Sequence, residues 1–246
     1  MKNKNCFEAR VLTLFPEMFP GILGYSLAGK ALNKNIWNIE TVNVRDYTDH
    51  KYARVDDEPY GGGDGMVMMA EPFFKAIDHT VSLWNEFDDL HIVYPTPQGE
   101  LWSQKTAREF SLRGNVIFLC GHYKGIDERV IEKYVTHEFS LGDYIISGGE
   151  LSSMVMLDSI IRMVPGVLNS YESALSDSFM NGLLDTPYYT RPRVIDGVKV
   201  PEVLLNGNHK QIDTWREEKR EKRTAARRKD LWEKYNSLRS NGEKNE

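Results

Sequence analysis

The chain has 246 residues, 41% of them hydrophobic, enough to fill a core in one or two domains. A formal net charge of −5 argues against nucleic-acid binding over the whole surface, and two cysteines and six scattered histidines give neither a disulfide framework nor zinc-ligand spacing. No run of about 18 apolar residues marks a membrane span, and the start, MKNKNCFEARVLTLF, is too short and wrongly flanked for a secretory signal, so the cytoplasm is the expected compartment.

Taken in chain order, VLTLF at 11–15 reads as a strand, 26–32 as a short helix and NIETVNV at 38–44 as an alternating strand. Residues 45–65 are too polar and too glycine-rich for a ladder, and a loop of that length inside a compact domain is usually functional or mobile. Helical spacing returns at 71–83, and LHIVYPTPQG at 90–99 is an apolar strand running into proline, threonine and glycine. Helical spacing at 101–112 and 126–135 flanks a second apolar strand that ends at Cys120, where a small core residue is the expected role of the cysteine.

SLGDYIISGGE at 140–150 closes a third strand on a glycine loop, and 150–164 is an amphipathic helix with Met154, Leu157, Ile160, Ile161 and Val164 on one side, stopped by Pro165 and Gly166. Strands alternating with helices predict an α/β fold with a parallel sheet covered on both faces. Ligands in such sheets bind outside the carboxyl ends of the strands, so three glycine-bearing strand ends predict one small-molecule pocket.

Residues 168–186, rich in Ser, Asp, Asn and Gly, read as an interdomain linker, after which prolines and glycines break the pattern until a helical end with Ile212, Trp215, Leu231, Tyr235 and Leu238 placed for packing. Between Lys210 and Arg239 there are 11 Lys and Arg against 6 Asp and Glu, an excess of +5, which leaves −10 for the rest of the chain. This tail is either a phosphate-neutralising surface or a solvated helix face laced with i,i+4 pairs.

Ligand motifs narrow the pocket's content. FPEMFPG stands after the first strand where a dinucleotide fold needs G-x-G-x-x-G, and GGGDG at 61–65 lacks the lysine and hydroxyl of a phosphate-binding loop. Those glycines serve either positive φ in a turn or close backbone approach to a substrate.

The sequence resembles the bacterial tRNA (guanine-N1)-methyltransferases of the knotted SPOUT superfamily. The likeness rests on LFPEMF (14–19), VDDEPYGGGDGMVM (55–68), PTPQG (95–99), CGHYKGIDERV (120–130), SLGDYIISGGE (140–150), VPGVL (164–168), SDSF (176–179), LLDTPYYTRP (183–192) and LLNGNH (204–209), in that order along nearly the whole chain. It implies a trefoil knot where the glycine loops meet, an exception to the rule that chains avoid threading loops. It also implies a catalytic domain at 1–168, a flexible linker at 169–186 that orders on tRNA, and a mostly helical basic domain at 187–246 that binds tRNA. A homodimer with composite active sites follows from the same likeness.

The donor implied is S-adenosyl-L-methionine, held by Tyr94, Pro95, Thr96, Gly99, Gly121, Tyr123, Ser140, Leu141, Gly142, Asp143, Tyr144, Ile145, Ile146, Gly148 and Gly149. Magnesium belongs to the family picture without a ligand motif here. The implied reaction methylates N1 of the guanine immediately 3′ of the anticodon, position 37. That nitrogen is protonated at neutral pH, so a base and a cation facing O6 are the minimum apparatus. Aspartates, ordinarily near pKa 3.9, are weak bases for so weak an acid and need the cation's help.

Asp177 matches the family's base and Arg162 its cation. Apart from the resemblance, Asp177 reads as a cap or Asx turn and Arg162 as a last-turn residue opposing the helix dipole. Two positions depart from the family's CGRYEG: His122 replaces Arg and Lys124 replaces Glu. Lineage variation with compensation elsewhere, an altered substrate preference and a weakened enzyme compete as explanations, and the intact Asp177 and Arg162 favour compensation. The competing readings are a ribose 2′-O-methyltransferase of the same superfamily and a tRNA-binding protein without turnover.

Overall fold

The structure is a computed structural model that describes residues 6–84, 90–168 and 176–242. Its core is a five-stranded sheet in the order β2-β1-β6-β5-β7, with β1 at Phe7–Thr13, β2 at Trp37–Asn43, β5 at His91–Leu101, β6 at Asn115–Leu119 and β7 at His137–Ser140. Every pairing within it is parallel. Short strands β3 (Asp56–Asp57) and β4 (Val67–Met68) pair antiparallel, β3 inside the stretch 45–65 predicted as a loop and β4 just after it.

The period-2 alternation of strand side chains assigns the two faces. Phe7, Ala9 and Val11 of β1 and Val116 and Phe118 of β6 pack with α1 (Ser26–Asn33), α3 (Gln104–Arg113) and α5 (Gly149–Ile161). Leu12, Ile117 and Leu119 point the other way, to α2 (Ala70–Ser82) and α4 (Glu128–Tyr134). Arg10, a charged residue on the interior strand β1, is buried but satisfied: it donates to the Thr80 carbonyl, pairs with Glu40 at 2.9 Å and lies over the Trp84 ring.

Several predicted boundaries move for identifiable reasons. β1 spans 7–13 rather than 11–15, because it is hydrogen-bonded on both sides and ends where Thr13 turns back to accept from the Phe15 N–H. The helix predicted over 101–112 starts instead at Gln104, where the Ser103 hydroxyl caps the Thr106 N–H. Helix α5 stops at Ile161 rather than Val164: the residue before a proline is driven out of helical φ/ψ, and residues 162–164 finish in tighter turns.

The chain divides into two compact units, residues 1–169 and 170–246. In the second, α6 (His209–Arg227) and α7 (Lys229–Gly242) are preceded by a β8 (Val194–Ile195) and β9 (Val198–Lys199) hairpin. The sequence pattern does not predict this hairpin, although Asp196 and Gly197 at its tip both adopt the positive φ of a two-residue turn. Ile212 is buried as expected, whereas Leu238 is 64% exposed. Residues 169–175 of the predicted linker lie outside the described residues. Residues 176–186 are fastened to α6: Leu183 is fully buried, the Leu184 N–H donates to the Thr224 hydroxyl, and Arg223 donates to the Asp185 carbonyl.

Candidate active site

A cleft of about 660 Å³ opens at the carboxyl ends of β5, β6 and β7. Its lining includes every residue that the resemblance assigned to the donor except Gly99 and Asp143. Gly99 has a different role in the fold: a Cβ there would sit 2.3 Å from the Glu138 carbonyl carbon, so glycine lets β5 lie flat on β7. The register between those strands breaks between Pro95 and Glu100, where Pro95 and Pro97 offer no N–H to a ladder. That break releases the PTPQ segment into the cleft wall.

Backbone proximity, more than side-chain chemistry, shapes the slot. A Cβ on Gly121 would come within 2.9 Å of the Tyr94 ring, and one on Gly149 within 2.8 Å of the Cys120 Cα. The Gly149 N–H donates to the Gly121 carbonyl at 2.9 Å, which ties the loop after β7 to the loop after β6. Tyr123 adopts a positive φ of 59° and Gly142 one of 143°, and the Ser140 hydroxyl accepts from the Gly142 N–H at 3.1 Å. Burial holds the Tyr94 phenol above its ordinary range, keeping it a neutral hydrogen-bonding group. Burial, then the charge of Glu150, pushes the Cys120 thiol well up, so it is no nucleophile.

The lining also holds four titratable side chains outside the set assigned to the donor. His122, Lys124, Glu128 and Glu138 all face the cleft, and of these only His122 and Lys124 stand out in the sequence. The Lys124 stem runs along Gly65, where a Cβ would meet its Cε at 3.0 Å, and the Lys124 N–H donates to the Met66 carbonyl. The glycine-rich stretch is thereby stitched to the cleft wall. At Gly61, Gly62 and Gly63 an added Cβ would meet nothing within 4 Å, while φ is 88°, 77° and 113°, so the backbone conformation accounts for these glycines.

Neither of the two residues assigned to catalysis is part of this lining. Arg162 follows α5 and borders a smaller cleft with Ile22, Tyr25 and Asp158. Asp177 belongs to the second unit, half-buried in the turn at 176–180. Among the described residues, no group of three or more His, Cys, Asp or Glu is placed to hold a metal ion, and no helix is long and apolar enough to cross a membrane. In the basic tail Arg216, Arg220 and Lys222 pair with acids three or four residues away on α6, whereas Lys210, Arg227 and Lys229 are exposed.

A parallel sheet with a glycine-lined cleft at its carboxyl edge is the arrangement in which α/β enzymes bind small molecules. The family model for tRNA (Guanine-1)-methyltransferase TrmD matches residues 7–234, and the chain belongs to that methyltransferase family. It is 50% identical over 222 residues to the tRNA (guanine-N(1)-)-methyltransferase of Bacillus cereus, covering 90% of each chain. The protein of the same name from Clostridioides difficile is 46% identical over 226 residues, 92% of this chain and 97% of the relative. That of Buchnera aphidicola is 49% identical over 221 residues, 90% and 83% respectively.

Proposed function

We propose that this enzyme methylates N1 of guanine 37 in tRNA with S-adenosyl-L-methionine as donor. The observation that carries the reading is the cleft itself: a volume of about 660 Å³ at the carboxyl ends of three parallel strands, lined by all the residues that the resemblance gives to the donor except Gly99 and Asp143. Such a cleft suits a ligand recognised through main-chain groups and flat packing. Glu128 and Glu138 add carboxylates to the lining, favourable to a cationic donor. When bound, S-adenosylmethionine supplies an electrophilic methyl carbon attached to a positive sulfur.

The protein's task is then to expose a lone pair on N1. The Asp177 carboxylate accepts the N1 proton and the Arg162 guanidinium stabilises the negative charge that shifts to O6, so that the N1 lone pair can take the methyl group as its bond to the donor's sulfur breaks and leaves a neutral thioether. Residues 1–168 act as the catalytic domain, 169–186 as the connector carrying the base, and 187–246 as the tRNA-binding domain. The Gly121–Gly149 tie and the His122–Gly148 bridge bring the segment after edge strand β7 back beyond the end of β6, past the intervening β5, which supports a threaded chain of the trefoil type. A homodimer completes the site. In support, Leu151 and Val155 of α5 and nearby Ile22 and Tyr25 are exposed apolar side chains in the same unit as Arg162, and Arg162 shares no cleft with the donor lining.

Labelled donor is incubated with tRNA transcripts carrying guanine or adenine at position 37, and the product is mapped. Methylation at N1 of the guanine transcript alone is expected; label on a ribose 2′-oxygen, or none, overturns the reading. Asp177→Ala is expected to lower turnover by roughly 10² to 10⁴, and Arg162→Ala by roughly 10² to 10³.

A further inference from the structure

Glu150 is a charged residue only 1% exposed, and its hydrogen bonds connect three parts of the fold. The Thr13 hydroxyl, at the end of β1, donates to Glu150 Oε1 at 2.6 Å while accepting from the Phe15 N–H at 2.9 Å. His122, in the turn after β6, places Nε2 2.9 Å from both Glu150 oxygens. Glu150 itself lies in the first turn of α5, where the helix dipole favours a carboxylate. Because Thr13 spends its acceptor side on Phe15, its proton points to Glu150. The carboxylate is thus an acceptor on both sides, and the His122 proton sits on Nε2.

Everything around the pair is built to its shape. A Cβ on Gly148 would lie 2.3 Å from His122 Cε1 and 2.6 Å from Glu150 Oε2, so glycine at 148 leaves room for the hydrogen bond. The φ of Gly148, −167°, is open to any residue, which makes space the only requirement there. Phe15 meets the imidazole edge-on at 5.1 Å between ring centroids, and His122 and Gly148 form an isolated backbone bridge. The same His122 lines the donor cleft, one residue from Gly121 and its bond to Gly149.

We propose that His122 is a positioning residue for the methyl donor: its hydrogen bond to buried Glu150 latches the turn after β6 to the start of α5 and so holds in place the cleft wall that Gly121, Gly148 and Gly149 form together. This rests on the donor-cleft reading above. The latch needs a hydrogen-bond donor at Nε2 and no proton transfer, so residues that can donate at that point replace histidine and an apolar residue of similar volume does not.

Donor affinity of the full-length protein is measured by calorimetry, together with KM for donor and for tRNA, in the parent and in His122→Met, His122→Gln and His122→Arg, each checked for folding by circular dichroism. His122→Met is expected to raise the donor Kd and donor KM by roughly 10-fold or more, the cost of a loosened supporting contact, with the tRNA KM within about two-fold of the parent. Restoration of donor affinity by Gln or Arg completes the expected result. A folded Met variant with parental donor affinity overturns the latch, and so does a loss that neither Gln nor Arg repairs. If Met does not fold, donor affinity in Gln and Arg decides: retention in either supports the latch, and loss in both overturns it. Failure of the parent to bind the donor overturns the donor-cleft reading and the latch with it, whereas parental binding with an indifferent His122 overturns the latch alone.

Discussion

Lys124 and His122, the two positions read in the sequence as departures from CGRYEG, sit in different surroundings. His122 is mostly buried with a committed partner, 28 residues away in sequence, which is why no local pattern could announce it. Lys124 is exposed, its stem lying along Gly65, and its ammonium forms no hydrogen bond or ion pair among the described residues. An exposed charge of this kind contributes roughly 1 kcal/mol or less. Lys124→Glu is therefore expected to change methyl transfer to tRNA by less than about five-fold, measured as kcat/KM. A rise of many-fold would mean that the parent lacks a working acidic contact at this position and that no compensation exists.

At the scale of elements, most helices of the first unit are legible from a buried face, and the interior strands from short apolar runs, because both of their faces are covered. The errors fall where a local contact overrides the pattern: the Ser103 cap displaces the start of α3, Pro165 shortens α5, and the tight Asp196–Gly197 turn creates a hairpin in a stretch whose prolines and glycines mask it. The glycine loops are legible as a pocket, but Gly99 is not separable from them, since its requirement comes from the β7 backbone and not from the cleft. Helix α5 is the element on which most depends, because it carries Gly149 and Glu150 at one end and leads to Arg162 at the other. Met156 and Leu157 are both fully buried on it. Met156→Ala is expected to cost roughly 2 to 5 kcal/mol in stability, read from the shift of the urea midpoint at unchanged slope. Donor affinity measured well below that midpoint should stay near the parental value, since the side chain is absent from the cleft lining.

Over the whole molecule, charge is divided as chemistry would require of an acidic protein that handles a polyanion. The body carries the negative excess, and the segment from Lys210 to Arg239 carries +5 against −10 elsewhere. Much of that positive charge is already paired along α6, so the net figure overstates what is available to phosphates. Lys210, Arg227 and Lys229 are exposed and form no ion pair among the described residues, which makes them the test of whether the tail binds tRNA or only solvates a helix. Each phosphate contact that releases a condensed counterion adds roughly 0.7 to 0.9 to the slope of log K against log salt. Replacing all three by Gln is expected to weaken tRNA binding and to flatten that slope by roughly 2 to 3. On the donor-cleft reading, donor binding should not change. An unaltered slope would assign the tail's charge to helix solvation and move the search for the tRNA surface to the remaining basic residues.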